Sequence, residues 1–359
     1  MDYIKRQKNL ITLLEKHSLD ALLVKKEKNI AYLTGVKGES SLLICSKDKF
    51  ILVTDPRYME EYAPKKPLYR LNIIKGAADI YTLISSICSS KKWKNIGFES
   101  HAFTYDSYIK FKKSLSNAYL KARPGLIEKL RAIKDTEEIR ALRNACNKGV
   151  TIMNYAMKAL RPSLTEKDVK FKIDSFMIKR SFIKAGFDII VASGKNSSKP
   201  HAAISDKRLK NGEMALIDLG AMSCGYNSDL TRTIYLGRID RKYLKLYNIV
   251  LDAQKKAIES IRPGLKASYI DNISRNYINH KGLGRYFIHS LGHGIGLEVH
   301  ENPSISKNSN AILEENMAIT IEPGLYIPGW GGIRIEDDIL ITNKGCEVLT
   351  KGCNKTSCR

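Results

Sequence analysis

GEMALIDLGA (residues 212–221) and ENMAITIEPGL (315–325) share one pattern: an apolar, strand-like run interrupted near its end by a single acid, Asp218 in the first and Glu322 in the second. The match extends in both directions. Downstream, NSDLTRTI (227–234) is echoed by GIRIEDDI (332–339), with Asp229 answering Glu336. Upstream, MKALRPSLTEKDV (157–169) is echoed by IESIRPGLKASYI (258–270), each a helix end, an Arg-Pro stop and a new helix. Pro200-His201 has a counterpart in Val299-His300. Two copies of a helix–helix–hairpin unit imply a domain with pseudo-twofold symmetry, whose functional side chains converge on the axis.

The hairpins show what converges. Met214 to Ala221 and Asp229 to Leu236 are strand-like and flank the turn-rich Met222–Gly225. A turn centred on Ser223-Cys224 sets Asp218 opposite Asp229. In the second copy a turn centred on Gly329 sets Glu322 opposite Glu336. Opposed side chains have Cβ atoms about 5 Å apart, where like charges are destabilising. Each acid also interrupts an apolar strand, where an unpaired charge is costly. Two such pairs in symmetry-related copies call for cations, and four carboxylates carry more charge than one divalent ion neutralises. Two ions per chain are expected. FIHSLGHGIGLEVHENP (287–303) supplies His289, His293 and His300, and His201 lies before the first hairpin, out of only seven histidines in the chain. An imidazole from this group completes a mostly hard-oxygen ligand set, which suits Mn, Co or Fe(II) at least as well as Zn.

The rest of the chain frames this domain. A length of 359 residues suits two domains, and 43% hydrophobic with 27% charged residues describes a chain with a packed core. The first third is α/β: an amphipathic first helix carries Leu10, Leu13, Leu14 and His17, followed by strand-like ALLV (21–24), IAYLTG (30–35), SLLIC (41–45) and FILVT (50–54). A helix over Pro56–Tyr62 and a strand from Ile96 complete it. A linker around Pro124–Leu130 divides a smaller domain, 1–125, from the domain carrying the repeat, 126–359. Asp135 and Glu138 form a capping box that opens a helix running to Arg161-Pro162. The charged N-terminal helix is not a secretory leader, and no run of about eighteen apolar residues offers a membrane span. Seven scattered cysteines suit a reducing compartment, so a cytoplasmic location is expected. Cys346, Cys353 and Cys358 crowd the C-terminus, but no CxxC pair completes a zinc knuckle. The net charge of +23 comes from dispersed lysines, the signature of solvated faces; no nucleic-acid partner is expected.

SGKNSSKPHA (193–202), ALIDLGA (215–221), NSDLTRT (227–233), HSLGHGIGLEVHENP (289–303) and IEPGLYIPGWGGIRIEDD (321–338) together resemble the proline-specific metallopeptidases of the pita-bread fold, the Xaa-Pro aminopeptidases and Xaa-Pro dipeptidases (prolidases). The first third, with IAYLTG and TDPRY, resembles their creatinase-type N-terminal domain. The resemblance implies a two-domain α+β protein, with metal ligands at Asp218, Asp229, His293, Glu322 and Glu336, of which Asp229 and Glu336 bridge the ions. It implies catalytic or outer-shell roles for His201, His289, His300 and Arg334, with Glu322 also moving protons. A proline-containing peptide is the implied substrate and a homodimer the implied assembly. The small N-terminal domain, without a long insertion over the groove, favours an Xaa-Pro aminopeptidase that also takes dipeptides. The alternatives are a strict Xaa-Pro dipeptidase and, in a different class, a non-catalytic pita-bread binding or chaperone module. The latter is disfavoured because all five ligand positions stand.

Overall fold

The computed structural model describes residues 1–63, 68–76, 79–115 and 117–355. Cys358 lies outside them. The chain divides into two compact units, Met1–Arg131 and Ala132–Arg359.

In the first unit the elements run α1 (Tyr3–Lys16), β1 (Ala21–Val24), α2 (Glu27–Thr34), β2 (Leu42–Ser46), β3 (Phe50–Thr54), β4 (Arg70–Ile73), α3 (Asp79–Lys91), β5 (Asn95–Phe98), α4 (Tyr105–Ser114) and β6 (Tyr119–Ala122). They build one sheet in the order β4-β3-β2-β1-β5-β6, in which only β2 runs against its neighbours. β1, β2 and β3 are buried at every position, as unbroken apolar runs in a sheet covered on both faces must be. IAYLTG is not the expected strand. It forms α2, whose buried Ile30, Leu33 and Thr34 follow helical spacing, and Gly35 ends it in the left-handed region at φ 82°. A short apolar run is ambiguous between strand and helix, and the polar Glu27–Asn29 ahead of it supplied a first helical turn. Pro56–Tyr62 begins as a 3-10 turn, Pro56–Tyr58, under an Asp55 cap and goes no further as helix. The expected linker is itself helical, α5 (Leu126–Ala132).

The second unit contains the repeat. Its first half has α6 (Thr136–Ala159), α7 (Glu166–Lys179), β7 (Ile183–Lys184), β8 (Ile190–Ser193), β9 (Met214–Leu219), β10 (Ala221–Ser223), β11 (Tyr226–Asn227) and β12 (Leu230–Tyr235). The second has α8 (Arg241–Ser260), α9 (Ala267–His280), β13 (Gly292–Gly294), β14 (Glu301–Ile305), β15 (Ala318–Ile321), β16 (Gly324–Ile327), β17 (Gly331–Arg334), β18 (Asp337–Thr342) and β19 (Gly345–Val348). The order β12-β9-β8 in one half is repeated as β18-β15-β13 in the other, all antiparallel. Even the rungs behind the two Arg-Pro stops correspond: Ser163 N donates to Leu209 O (2.9 Å) and Gly264 N to Leu313 O (2.8 Å). Each half buries its helix pair largely against its own strands, giving two apolar cores around Ile173–Ile217 and Ile249–Ile339, the second also taking in Met214 and Tyr235 of the first half. The acids interrupt the core-forming strands where the two halves meet. The expected capping box is present, with Asp135 and Glu138 exchanging side-chain and backbone hydrogen bonds.

One register differs from expectation. β9 and β12 pair Asp218 with Thr231, and the same register continues through Met222↔Asn227 and Ser223↔Tyr226. The turn is the two-residue Cys224-Gly225, with φ 50° and 84°, a primed hairpin turn that matches the twist of its strands. Asp229 thus lies two residues further along than the Ser223-Cys224 midpoint placed it. A shift of two keeps the same face, so both aspartates still point to one side. In the second half the Gly329 register holds: Gly324↔Arg334 and Ile321↔Asp337 belong to one alignment, which sets Glu322 against Glu336 in the gap between the two ladders.

Candidate metal centre

A cavity of about 460 Å³ opens on this gap, and its wall includes all nine residues singled out in the sequence: Asp218, Asp229, His293, Glu322, Glu336, His201, His289, His300 and Arg334. They come from six separate stretches of chain. Donor atoms of Asp229, His293 and Glu336 all lie within 4.8 Å of one another. His293 Nε2 is 3.4 Å from Glu322 Oε1 and 3.8 Å from Asp229 Oδ2. Its Nδ1 faces Gly294 O at 3.1 Å, which directs the Nδ1–H to the carbonyl and turns the Nε2 lone pair toward the acids.

Each acid is held from behind. Glu336 Oε2 accepts from Thr231 Oγ1 (2.6 Å), and its backbone N donates to Thr231 O (3.1 Å). Asp229 N donates to Asp338 Oδ2 (3.0 Å). Asp218 Oδ2 takes Arg334 Nη2 at 2.6 Å. Among the described residues, Oδ1 of Asp218 and Oδ1 of Asp229 are buried without a hydrogen-bond partner. Orphaned buried carboxylate oxygens are costly and rare, and two of them converging with an imidazole lone pair fit a cation.

The protonation energetics say the same. Burial, then the nearby Glu336 and Asp218, drives the Asp229 carboxyl far above its ordinary value. Burial, with Glu322 and Asp218, does so for Glu336. Burial lifts Glu322 to about 8 against the pull of Arg334. Burial and the adjacent His300 lower His293 to about 4, keeping it neutral and able to ligate. Carboxylates crowded in this way either hold protons or share a cation, and a divalent ion displaces the protons.

Arg334 is 4% exposed, so it is no surface salt bridge. Four of its five guanidinium N–H groups are engaged: Nε to Thr231 Oγ1 (2.9 Å), Nη1 to Tyr326 OH (2.7 Å) and Pro200 O (3.3 Å), Nη2 to Asp218. A single Nη2 N–H is left over, too few for the two-pronged grip of a substrate carboxylate. His289 is similarly engaged, Nδ1 at Ser290 O (2.7 Å) and Nε2 at Tyr326 OH (3.1 Å), and burial lowers it to about 4. His201 and His300 differ. Both are exposed to the cavity, and among the described residues neither ring has a hydrogen-bond partner. The His300 ring lies 4.2 Å, centroid to centroid, from that of His293.

Sequence reasoning missed Thr231, Tyr326 and Asp338. Tyr326 was within reach: it shares the parity of Glu322 along its strand and so the same face. Thr231 needed the true hairpin register, and Asp338 needed the contact between the halves.

Comparison with known proteins agrees with this architecture. Residues 140–343 match the model of metallopeptidase family M24, and residues 6–133 that of the creatinase/prolidase N-terminal domain. An Xaa-Pro dipeptidase of Pyrococcus horikoshii is 38% identical over 349 residues, 97% of each chain. The solved structure of an Xaa-Pro dipeptidase from Bacillus anthracis superposes with a TM-score of 0.94 at 36% identity, covering 100% of both chains. That of an X-Pro aminopeptidase from Thermotoga maritima gives 0.88 at 30%, covering 99% of this chain and 100% of the other. With its duplicated catalytic unit, convergent acids and matching N-terminal domain, the chain belongs to metallopeptidase family M24.

Proposed function

We propose that this chain is an Xaa-Pro dipeptidase that uses two divalent ions held by Asp218, Asp229, His293, Glu322 and Glu336. The observation that carries the reading is one cavity lined by four carboxylates and a neutral imidazole together with two unengaged histidines. When bound, the ions supply Lewis-acid polarisation of the scissile carbonyl and a lowered pKa for water. The protein's own groups do the rest. Glu322, beside His293, carries a proton to the departing proline nitrogen. His201 and His300 offer the free donors for the substrate's carboxylate and for the oxygen that gains charge in the transition state. Arg334 orients Asp218 and Tyr326. Proline has no amide hydrogen, so the pocket behind the scissile bond can select it by shape without satisfying a donor.

The aminopeptidase preference drawn from the short first domain gives way here to its alternative. The relatives named above at 36–38% identity are dipeptidases, and the aminopeptidase stands at 30%. The deciding measurement is kcat/KM for Ala-Pro against Ala-Pro-Ala with the same metal. A preference of about a hundredfold, or roughly 2.7 kcal/mol, for the dipeptide establishes the reading. Near equality returns the aminopeptidase. Chelation should abolish activity, with Mn or Co restoring it and Zn or Fe(II) as the competing candidates. A reducing, cytoplasmic setting is consistent with the six described cysteines, all free. No helix among the described residues is long and apolar enough to cross a membrane. Homodimer formation rests on resemblance, and sedimentation at micromolar concentration tests it.

A further inference from the structure

The residues that open α6 make contacts beyond the capping box. Lys134, one residue before the cap, is pinned to the sheet by its backbone: its N donates to Asn316 O (2.9 Å), and its neighbour Ile133 bridges Met317. Its ammonium crosses to Glu301 Oε2 at 3.3 Å, with the two side chains 1% and 5% exposed. The other oxygen of Glu301 accepts from Glu298 N (2.9 Å), and Gly296 N donates to Glu298 O (3.0 Å), so the carboxylate closes the inside of the 296–301 turn. Glu138, the reciprocal partner of the capping box, accepts from Tyr226 OH at 2.8 Å with its other oxygen. The adjacent Asn227 donates its side-chain amide to Gly296 O (3.0 Å) and Leu297 O (3.1 Å).

The entry to α6 thus reaches both ends of one segment, Gly296–Glu301: Lys134 directly at Glu301, and Glu138 indirectly, through Tyr226 and its neighbour Asn227, at Gly296. That segment carries Val299 and His300 into the cavity. It begins at Gly296 and follows Gly292 and Gly294, residues that by themselves leave the backbone free. We infer that Lys134 is a positioning residue: its buried ion pair with Glu301 orders the 296–301 turn and so aims His300 at the substrate. This builds on the proposed role of His300 as a substrate contact. Removing one member of a buried, hydrogen-bonded ion pair forces its partner to rearrange, and a glycine-rich turn is the part free to move.

The test uses the full-length, metal-loaded chain. Lys134→Met keeps most of the stem and removes the charge, Lys134→Arg restores the charge, and Lys134→Met with Glu301→Gln removes both charges should the single variant fold poorly. Hydrogen exchange reads the turn directly. The amides of Gly296 and Glu298 should exchange faster in Lys134→Met, by more than the slowest core amides that report global unfolding and at unchanged metal content, and recover in Lys134→Arg. Unchanged exchange overturns the inference whatever His300 does.

Kinetics then read the route. Lys134→Met should lower kcat/KM for Ala-Pro about tenfold or more, and combining it with His300→Ala should cost no more than His300→Ala alone. Additive losses overturn the route through His300, because a residue that only stabilises the fold acts independently of it. If His300→Ala alone leaves kcat/KM intact, the substrate-contact role of His300 fails, and the positioning inference fails with it unless the exchange data move as stated. Those data then confine Lys134 to ordering the turn.

Discussion

The two halves of the catalytic unit share a strand order but divide the labour unequally. The first half contributes Asp218 and Asp229 from a hairpin closed by the tight Cys224-Gly225 turn. The second contributes Glu322 and Glu336 from an interrupted hairpin, together with His293, Tyr326 and Arg334. The first half's acids are held largely by the second half: Arg334 ties Asp218, and Asp338 holds the Asp229 amide. In return Thr231 of the first half holds Glu336. Duplication supplied matched acids, and divergence supplied the imidazole and the guanidinium. Neither half builds the cluster alone, because the donor atoms that come within 4.8 Å of one another belong to Asp229 of the first and to His293 and Glu336 of the second.

If that exchange is real, the largest effects come from residues serving both halves. Asp229→Asn and Glu336→Gln should each reduce turnover to background and lose bound metal, measured by calorimetric titration and metal analysis. Full activity with two ions in either variant would refute the shared site. Next, Arg334→Met leaves Asp218 without its buried partner. Metal affinity or kcat/KM should fall about 10–100-fold, as for other outer-shell losses, with the larger deficit at the position that Asp218 would hold. An equal loss from both positions would mean that Arg334 acts on the unit as a whole.

A pH series sharpens the electrostatic side. In the metal-free protein, burial raises Glu322 from 4.5 to about 8, so above pH 4.5 the folded state holds a proton that the unfolded state releases. That contribution to stability is full below 4.5 and is lost as pH rises through 8. Asp229 and Glu336 shift in the same direction. His289 and His293, lowered from 6.5 to about 4, act oppositely, but only between those values. Hence Tm of the chelated protein should fall between pH 6.5 and 8, where only the carboxylates still titrate, and metal should abolish the fall. A flat chelated profile would show that the acids are already ionised. The smallest effect belongs to the turn. Gly225 sits at φ 84°, so Gly225→Ala should cost about 1 kcal/mol in denaturant titration while leaving kcat/KM unchanged.

Much of this was legible before any coordinates. The four acids stood out because each breaks an apolar strand at the same place in a repeated pattern, and the Asp135–Glu138 cap stood out because its chemistry is local. What misled was also local: the apolar run Ile30–Leu33 has no feature that separates a buried helix from a strand, and the Met222–Gly225 stretch leaves its turn ambiguous by one residue. The Arg334 side chain was visible as a charge near the site. Its engagement by Thr231, Tyr326, Pro200 and Asp218 was not, since three of those partners lie more than a hundred positions away.

The sequence by itself determined the duplication, the identity of the acids and the family, because repeats, strand-breaking charges and glycine-flanked histidines are written residue by residue. Tertiary structure alone decided which groups are spoken for. Whether a histidine or an arginine is free to meet substrate depends on how its hydrogen bonds are spent, and that is settled by partners that only folding brings within about 3 Å. By that measure His201 and His300 remain available, His289 does not, and Arg334 keeps a single N–H.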